Sequence, residues 1–128
     1  MNTSEVLNKA ADLIEERGWT TGNSGWQKED GPLCLEGGII AALGLGTWNE
    51  VQIADEYWAC PAYNAVAAYL GRDVSLLPEK KGPREPLWQW NDHIATGEQQ
   101  VIATLRAAAV IEAAKENASA EVAQDVAR

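Results

Sequence analysis

The sequence has few of the residues on which several classes of protein depend. Its 128 residues include 2 cysteines, 1 histidine and no phenylalanine. Two cysteines cannot form a disulfide framework, so we expect a reducing, cytoplasmic location. No apolar run approaches the roughly 18 to 20 residues that span a bilayer. The first five residues have neither the basic nor the apolar part of a secretory signal. A chain of this length is expected to form one domain.

Basic residues are also scarce. The chain has 10 lysines and arginines against 19 acidic residues, and its net charge is −9. Nucleic acids and anionic membranes attract basic surfaces, so direct binding to either is not expected. The charge instead favours a protein partner with a basic patch and a salt-dependent association. One version of this hypothesis is mimicry of nucleic acid, in which the carboxylates occupy a DNA-binding groove of the partner.

The spacing of apolar residues predicts a mainly α-helical fold, a small bundle of four to five helices. The predicted helices cover about residues 5–17, 35–43, 48–57 and 61–70, and a last helix begins after Thr96. The 6 tryptophans are expected to fill the volume that abundant alanines leave in the core. The domain is predicted to cover residues 1–112. Residues 113–128 are predicted to be a frayed or mobile tail, because Val122 and Val126 are its only large apolar residues.

Residues typical of helix ends mark several boundaries. Ser4 is placed to cap the first helix, and Gly18 to end it. Thr96 and Gln99 match a capping box at the start of the last helix. Pro61 suits the first turn of a helix.

Residues 19–33 do not follow a helical period, because glycines occupy positions 22, 25 and 31. A turn over residues 28–31 would give a short β-hairpin between Trp26 and Leu33. A loop without regular strands explains the same pattern, and both interpretations stay open.

Cys34 is the candidate nucleophile. It precedes a buried helix, where backbone N–H groups are expected to lower the pKa of a thiol. Cys34 and His93, with Asn91 or Asp92 as the orienting group, have the composition of a cysteine-dependent enzyme. In the alternative interpretation, Cys34 is a small buried side chain and His93 a surface residue.

Neither a metal nor a cofactor is expected. Cys34, Cys60, Asp92 and His93 lack the C-x-x-C or H-x-x-x-H spacing of zinc sites. No glycine-rich sequence matches a phosphate-binding loop, so nucleotide binding has no recognised motif.

The segment 87–93 (LWQWNDH) contains two tryptophans and three polar or titratable side chains in succession. Trp88 and Trp90 are two positions apart and cannot face the same way on a helix, so one is expected in the core and the other at its rim. Asn91 or Asp92 would cap a helix end or bind backbone N–H groups of residues 19–33. Alternatively, an exposed tryptophan anchors a partner protein or lines a ligand pocket, and the candidates are Trp26, Trp88 and Trp90.

Three motifs in this order resemble a family of small uncharacterised proteins from actinobacteria and their phages. They are residues 10–19 (AADLIEERGW), 34–42 (CLEGGIIAA) and 90–92 (WND), before a final V-I-x-x-L-R-x-A-A helix. The likeness covers about residues 5–110, and it implies a small single domain with Cys34, Trp90, Asn91 and Asp92 as motif residues. Gly38 stands where alanine is usual, and His93 is not part of the motif. The resemblance implies an origin and a fold, and it brings no assigned activity.

The sequence therefore favours a non-enzymatic, acidic binding or regulatory protein, encoded by a phage and acting on a host protein. A cysteine-dependent enzyme built on Cys34 and His93 is the first alternative. A small-molecule-binding domain is the second.

Overall fold

The computed structural model describes residues 1–21, 31–44, 61–71, 87 and 90–127, and the side chains as far as residue 120. In chain order, these residues form α1 (Thr3–Arg17), α2 (Leu35–Ala42), α3 (Pro61–Tyr69), a π-helix (Trp90–Ile94) and α4 (Glu98–Ala127). The prediction of a small, mainly helical domain is confirmed. The predicted helix over residues 48–57 lies outside the described residues.

The two long helices, α1 and α4, form the centre of the fold and run antiparallel. The backbone N–H of Ser4 donates to Glu116 Oε1, whereas Asp12 contacts Arg106 ten residues earlier on α4. Helix α2 packs against α1, and α3 packs against both long helices. The largest fully buried side chains are Tyr63, Leu7, Ile14, Leu33, Leu35, Ile39, Ile40, Leu87, Leu105 and Val66.

Helix α1 is capped by Asn2 and not by Ser4, so this part of the prediction is wrong. The Asn2 side chain accepts a hydrogen bond from the backbone of Glu5, and the Glu5 carboxylate accepts one from the backbone of Asn2. This reciprocal pair satisfies two N–H groups at the helix start. Ser4 lies in the first turn instead. At the other end, Gly18 has φ +94, which a residue with a Cβ rarely adopts.

Helix α2 crosses α1 at a close approach that a glycine permits. A Cβ on Gly38 would lie 2.8 Å from Ile14 Cδ1 and 3.3 Å from the carbonyl oxygen of Ala10. Alanine at position 38 would therefore either separate the two helices or displace the Ile14 side chain.

Helix α4 begins one residue later than the sequence indicated. Glu98 is its first residue, so Thr96 lies two positions before the helix, and its side-chain partner is Gln100 and not Gln99. The backbone N–H and the hydroxyl of Thr96 both donate to Gln100 Oε1. The helix continues to Ala127, and Glu116 contacts the start of α1. The mobility of residues 113–128 stays a prediction.

The two ends of the glycine-rich segment are joined by a single parallel bridge. Thr20 N–H donates to the Leu33 carbonyl at 3.0 Å, and Leu33 N–H donates to the Gly18 carbonyl at 2.9 Å. Arg17 Nε also donates to the Gly31 carbonyl at 2.9 Å. The hairpin turn that the sequence suggested lies outside the described residues. Among the helices of the described part, none has the length and apolar character needed to cross a membrane.

Candidate functional site

The candidate residues Cys34, Trp90, Asn91 and Asp92 lie where the π-helix meets the start of α2. A π-helix is wider than an α-helix and is often found at functional positions. Here it carries Trp90 and Asn91 into the core, while His93 and Ile94 are exposed.

Asn91 is the hydrogen-bonding centre of this region. Its Oδ1 accepts a hydrogen bond from the Trp19 indole at 2.8 Å and another from the backbone N–H of Leu35 at 3.0 Å. Its Nδ2 donates to the Thr20 carbonyl at 3.2 Å and to Asp92 Oδ1 at 2.9 Å. A side-chain amide has two donors and two acceptor positions, so Asn91 uses its full capacity. With 2% of its surface exposed, Asn91 joins the end of α1, the start of α2 and the π-helix.

Asn91 accepts from the Leu35 N–H at the start of α2, as expected of a residue that caps a helix end. It binds residues 19–33 through the Thr20 carbonyl, and not through backbone N–H groups as predicted. Its bond with the Trp19 indole was not predicted from the sequence. The only signal for it was a tryptophan directly after the glycine that ends α1. Trp90 is 6% exposed and belongs to the core, so its indole is not displayed at the surface. Trp26 and Trp88 lie outside the described residues.

Cys34 caps α2 from inside the core. Its Sγ accepts a hydrogen bond from the Gly37 backbone at 3.2 Å, in the position that serine or asparagine usually occupies. Burial raises the pKa of the thiol from its ordinary value of 9.0 to about 12, and the negative charge of Glu36 adds to the rise. The backbone N–H groups of Gly37 and Glu36 act in the opposite direction, as expected of a helix start, but they are outweighed. The expected low thiol pKa is therefore wrong, and the thiol is protonated at neutral pH.

Asp92 and His93 are placed differently from Cys34. Asp92 is half-buried and accepts from Asn91, and its charge further raises the pKa of the thiol. His93 is exposed, whereas Cys34 is buried. A thiolate mechanism needs an ionised, accessible sulfur beside its base, and this arrangement provides neither the ionisation nor the access.

A second group of charged residues lies on the outer surface of α1. Arg106 on α4 reaches Asp12 at 2.7 Å and Glu15 at 3.3 Å, and its second amino group donates to Asn8 at 3.4 Å. The two carboxylates remain 67% and 64% exposed in spite of this contact. Hydrogen bonding to Asp12 raises the pKa of Arg106 above its ordinary value, so this cation is permanent. We call Asp12, Glu15 and the exposed Glu16 and Glu5 the α1 acidic row.

Next to the α1 acidic row, α4 exposes large apolar side chains. Val110 is 70% exposed and Ile111 is 44% exposed. Val110 follows Arg106 by one turn, so it lies on the same side of α4 as the residue that contacts Asp12 and Glu15.

Comparison with known proteins identifies a family and no closer relative. No curated protein and no solved structure is significantly similar to the chain. A family model described as a family of unknown function (DUF6197) matches residues 1–110. That range contains α1, α2, α3, the π-helix with the Asn91 network and the first turns of α4. The chain therefore belongs to the family of unknown function DUF6197.

Proposed function

We propose that this chain is a non-enzymatic, acidic protein that binds and regulates a protein partner through a basic patch on that partner. The observation that supports this proposal most strongly is the α1 acidic row. Its carboxylates lie on the exposed side of α1, and Arg106 on α4 reaches two of them, Asp12 and Glu15. Such a surface attracts a basic partner and speeds their encounter.

The properties of Cys34 also favour binding over catalysis. The thiol is buried, it caps α2, and its pKa of about 12 keeps it protonated at neutral pH. The capping bond holds the start of α2, and the burial and the raised pKa weigh against the cysteine-dependent alternative.

The proposal extends to the origin of the protein. The order of the motifs 10–19, 34–42 and 90–92 is similar to that in proteins from actinobacteria and their phages. We propose that the chain is encoded by such a phage and acts in the cytoplasm of the host. Its partner is then a host protein with a basic patch.

The salt dependence of partner binding tests this proposal. The immobilised protein would first capture host proteins at low salt, and each captured protein would then be purified and measured alone. We expect the dissociation constant to rise steeply as salt increases from about 50 to 300 mM, because screening weakens contacts between exposed charges. Binding that does not change over this range would contradict the proposal.

Two variants of the α1 acidic row give a matched comparison. Asp12→Asn together with Glu15→Gln removes two charges, and we expect association with the purified partner to slow several-fold. Asn8→Asp adds a carboxylate to the same helix face, and we expect association to become faster. Cys34→Ser serves as the control for the thiol and should bind as the unmodified protein does.

A further inference from the structure

The exposed side of α4 is mostly apolar in the middle part of the helix. Between Val101 and Ala114, the only polar residues are Thr104, Arg106 and Glu112. Helices that are apolar on all sides are normally buried on all sides. Here Leu105 and its neighbours face the core, whereas Val110 and Ile111 are exposed.

These exposed residues form a continuous surface. Ala103, Ala107, Val110 and Ala114 are spaced at i, i+4, i+7 and i+11, so they lie along one face, and Ile111 borders Val110. Ala103 and Ala114 are exposed, and Ala107 is half-exposed. We call these five residues the α4 stripe. It is about 16 Å long at 1.5 Å per residue, which matches roughly three turns of a facing helix.

The shape of the α4 stripe suits a helix more than a loop or a strand. Its three alanines have small side chains, which let a second helix approach closely. Val110 and Ile111 supply the larger side chains that fill the grooves of such a helix. A partner helix with apolar residues at the same spacing would bury the exposed surface of both.

The charges beside the α4 stripe indicate which charged residues a partner helix would carry next to its apolar face. Asp12 and Glu15 lie beside Arg106, one turn from Val110, and both carboxylates remain largely exposed. The whole chain carries a net charge of −9. A helix that covers the α4 stripe would gain from lysine or arginine placed beyond Arg106, where it meets Asp12 and Glu15 on α1.

We infer that the α4 stripe is the docking surface for a basic amphipathic helix of a protein partner. This inference rests on the proposed function, and it adds the position of the contact and the form of the partner. A second copy of this chain is a poorer occupant, because two chains with net charge −9 repel each other.

A designed peptide tests the inference without knowledge of the natural partner. The probe is an 18-residue helix of leucine and lysine with all leucines on one face, and its control has the same composition in shuffled order. Each peptide would be added to the ¹⁵N-labelled full chain and followed by NMR. We expect amide shifts to concentrate on residues 103–114 and on α1 near Asp12 and Glu15. Shifts centred on α3 would overturn the inference.

Variants of the α4 stripe provide the quantitative comparison. Val110→Ser together with Ile111→Ser should weaken binding of the amphipathic peptide at least tenfold. Tyr69→Ser, on α3, removes another exposed large side chain and should change the affinity less than twofold. The shuffled peptide should bind at least tenfold more weakly than the amphipathic one. Circular dichroism would verify that each variant is folded.

The outcomes separate this inference from the proposed function. If the double variant binds the peptide as well as the unmodified protein does, the α4 stripe is not the docking surface, while a basic partner remains supported. If neither peptide binds, the inference fails, and the proposed function is decided separately by the salt dependence of partner binding. If sedimentation shows a dimer that the double variant abolishes, the occupant is a second copy and the inference is overturned.

Discussion

The side-chain oxygen of Asn91 lies 2.8 Å from the indole nitrogen of Trp19, a residue 72 positions earlier in the chain. The same oxygen accepts the backbone N–H of Leu35 at the start of α2. One buried amide therefore fixes the end of α1 relative to the start of α2. This bond and the burial of Trp90 give the first two residues of the W-N-D motif a structural role.

Replacing Asn91 with alanine should destabilise the protein by about 2–4 kcal/mol, because several buried polar groups lose their partner at once. Urea denaturation followed by tryptophan fluorescence would measure the change. Asp92→Asn is the control, since Asp92 is only half-buried and an amide still accepts a hydrogen bond. If the free energy of unfolding of Asn91→Ala lies within about 0.5 kcal/mol of that of the unmodified protein, this account is contradicted.

Trp19→Phe isolates one of these bonds. It keeps a large ring but removes the indole N–H, and we expect a loss of about 1–2 kcal/mol. In a double-mutant cycle, Trp19→Phe should cost much less when Asn91 is already alanine. Equal costs in both backgrounds would show that the two side chains do not interact.

Cys34 should react slowly with alkylating reagents in the folded protein. The thiol is buried and its pKa is about 12, so almost none of it is thiolate at pH 7. Iodoacetamide labelling, followed by mass spectrometry of the peptide that contains Cys34, would measure the rate with and without urea. Labelling in the folded state as fast as in the unfolded state would contradict the burial of this thiol.

The same pKa predicts how stability depends on pH. The thiol ionises near 9.0 when exposed and near 12 when folded, so its contribution is complete below pH 9 and declines as the pH rises from 9 to 12. The decline attributable to Cys34 is about 1.4 kcal/mol per pH unit within that window. Cys34→Ser, which keeps a capping oxygen, should lack this part of the decline. If the free energy of unfolding falls equally with pH from 9 to 12 in both proteins, Cys34 does not cause the decline.

Gly38→Ala tests the close approach of α1 and α2. Alanine normally stabilises a helix by about 1 kcal/mol relative to glycine. Here the added Cβ would lie 2.8 Å from Ile14 Cδ1, and we expect a net destabilisation of about 1–3 kcal/mol. Ile14→Val removes that methyl group, so the double variant should recover part of the loss. A stabilised single variant would show that the helices have room to separate.

Local sequence patterns predicted much of the fold. The stripe of apolar residues on α1, the proline that begins α3 and the glycine after α1 all act within one or two helical turns, and all three were read correctly. Errors arose where two local patterns competed. Asn2 with Glu5 caps α1 in place of Ser4, and Gln100 replaces Gln99, because each helix begins one or two residues from the expected position.

The candidate site was less predictable because its properties come from distant residues. The pairing of Asn91 with Trp19 joins positions 72 apart, and no spacing rule indicates it. The pKa of Cys34 depends on burial by the whole core and on the charge of Glu36, which together outweigh the local effect of the helix start. The local effect of the helix start alone predicts a lowered pKa, which is the wrong direction.

The central claim is that the protein acts by binding through the outer surface of α1 and α4, and that the Cys34 and Asn91 region is structural. One measurement tests it most directly: the affinity of a purified host partner for the unmodified protein, for Cys34→Ser, and for Val110→Ser with Ile111→Ser. We predict unchanged affinity for Cys34→Ser and at least tenfold weaker affinity for the double variant. Loss of affinity in Cys34→Ser, with full affinity in the double variant, would contradict the claim.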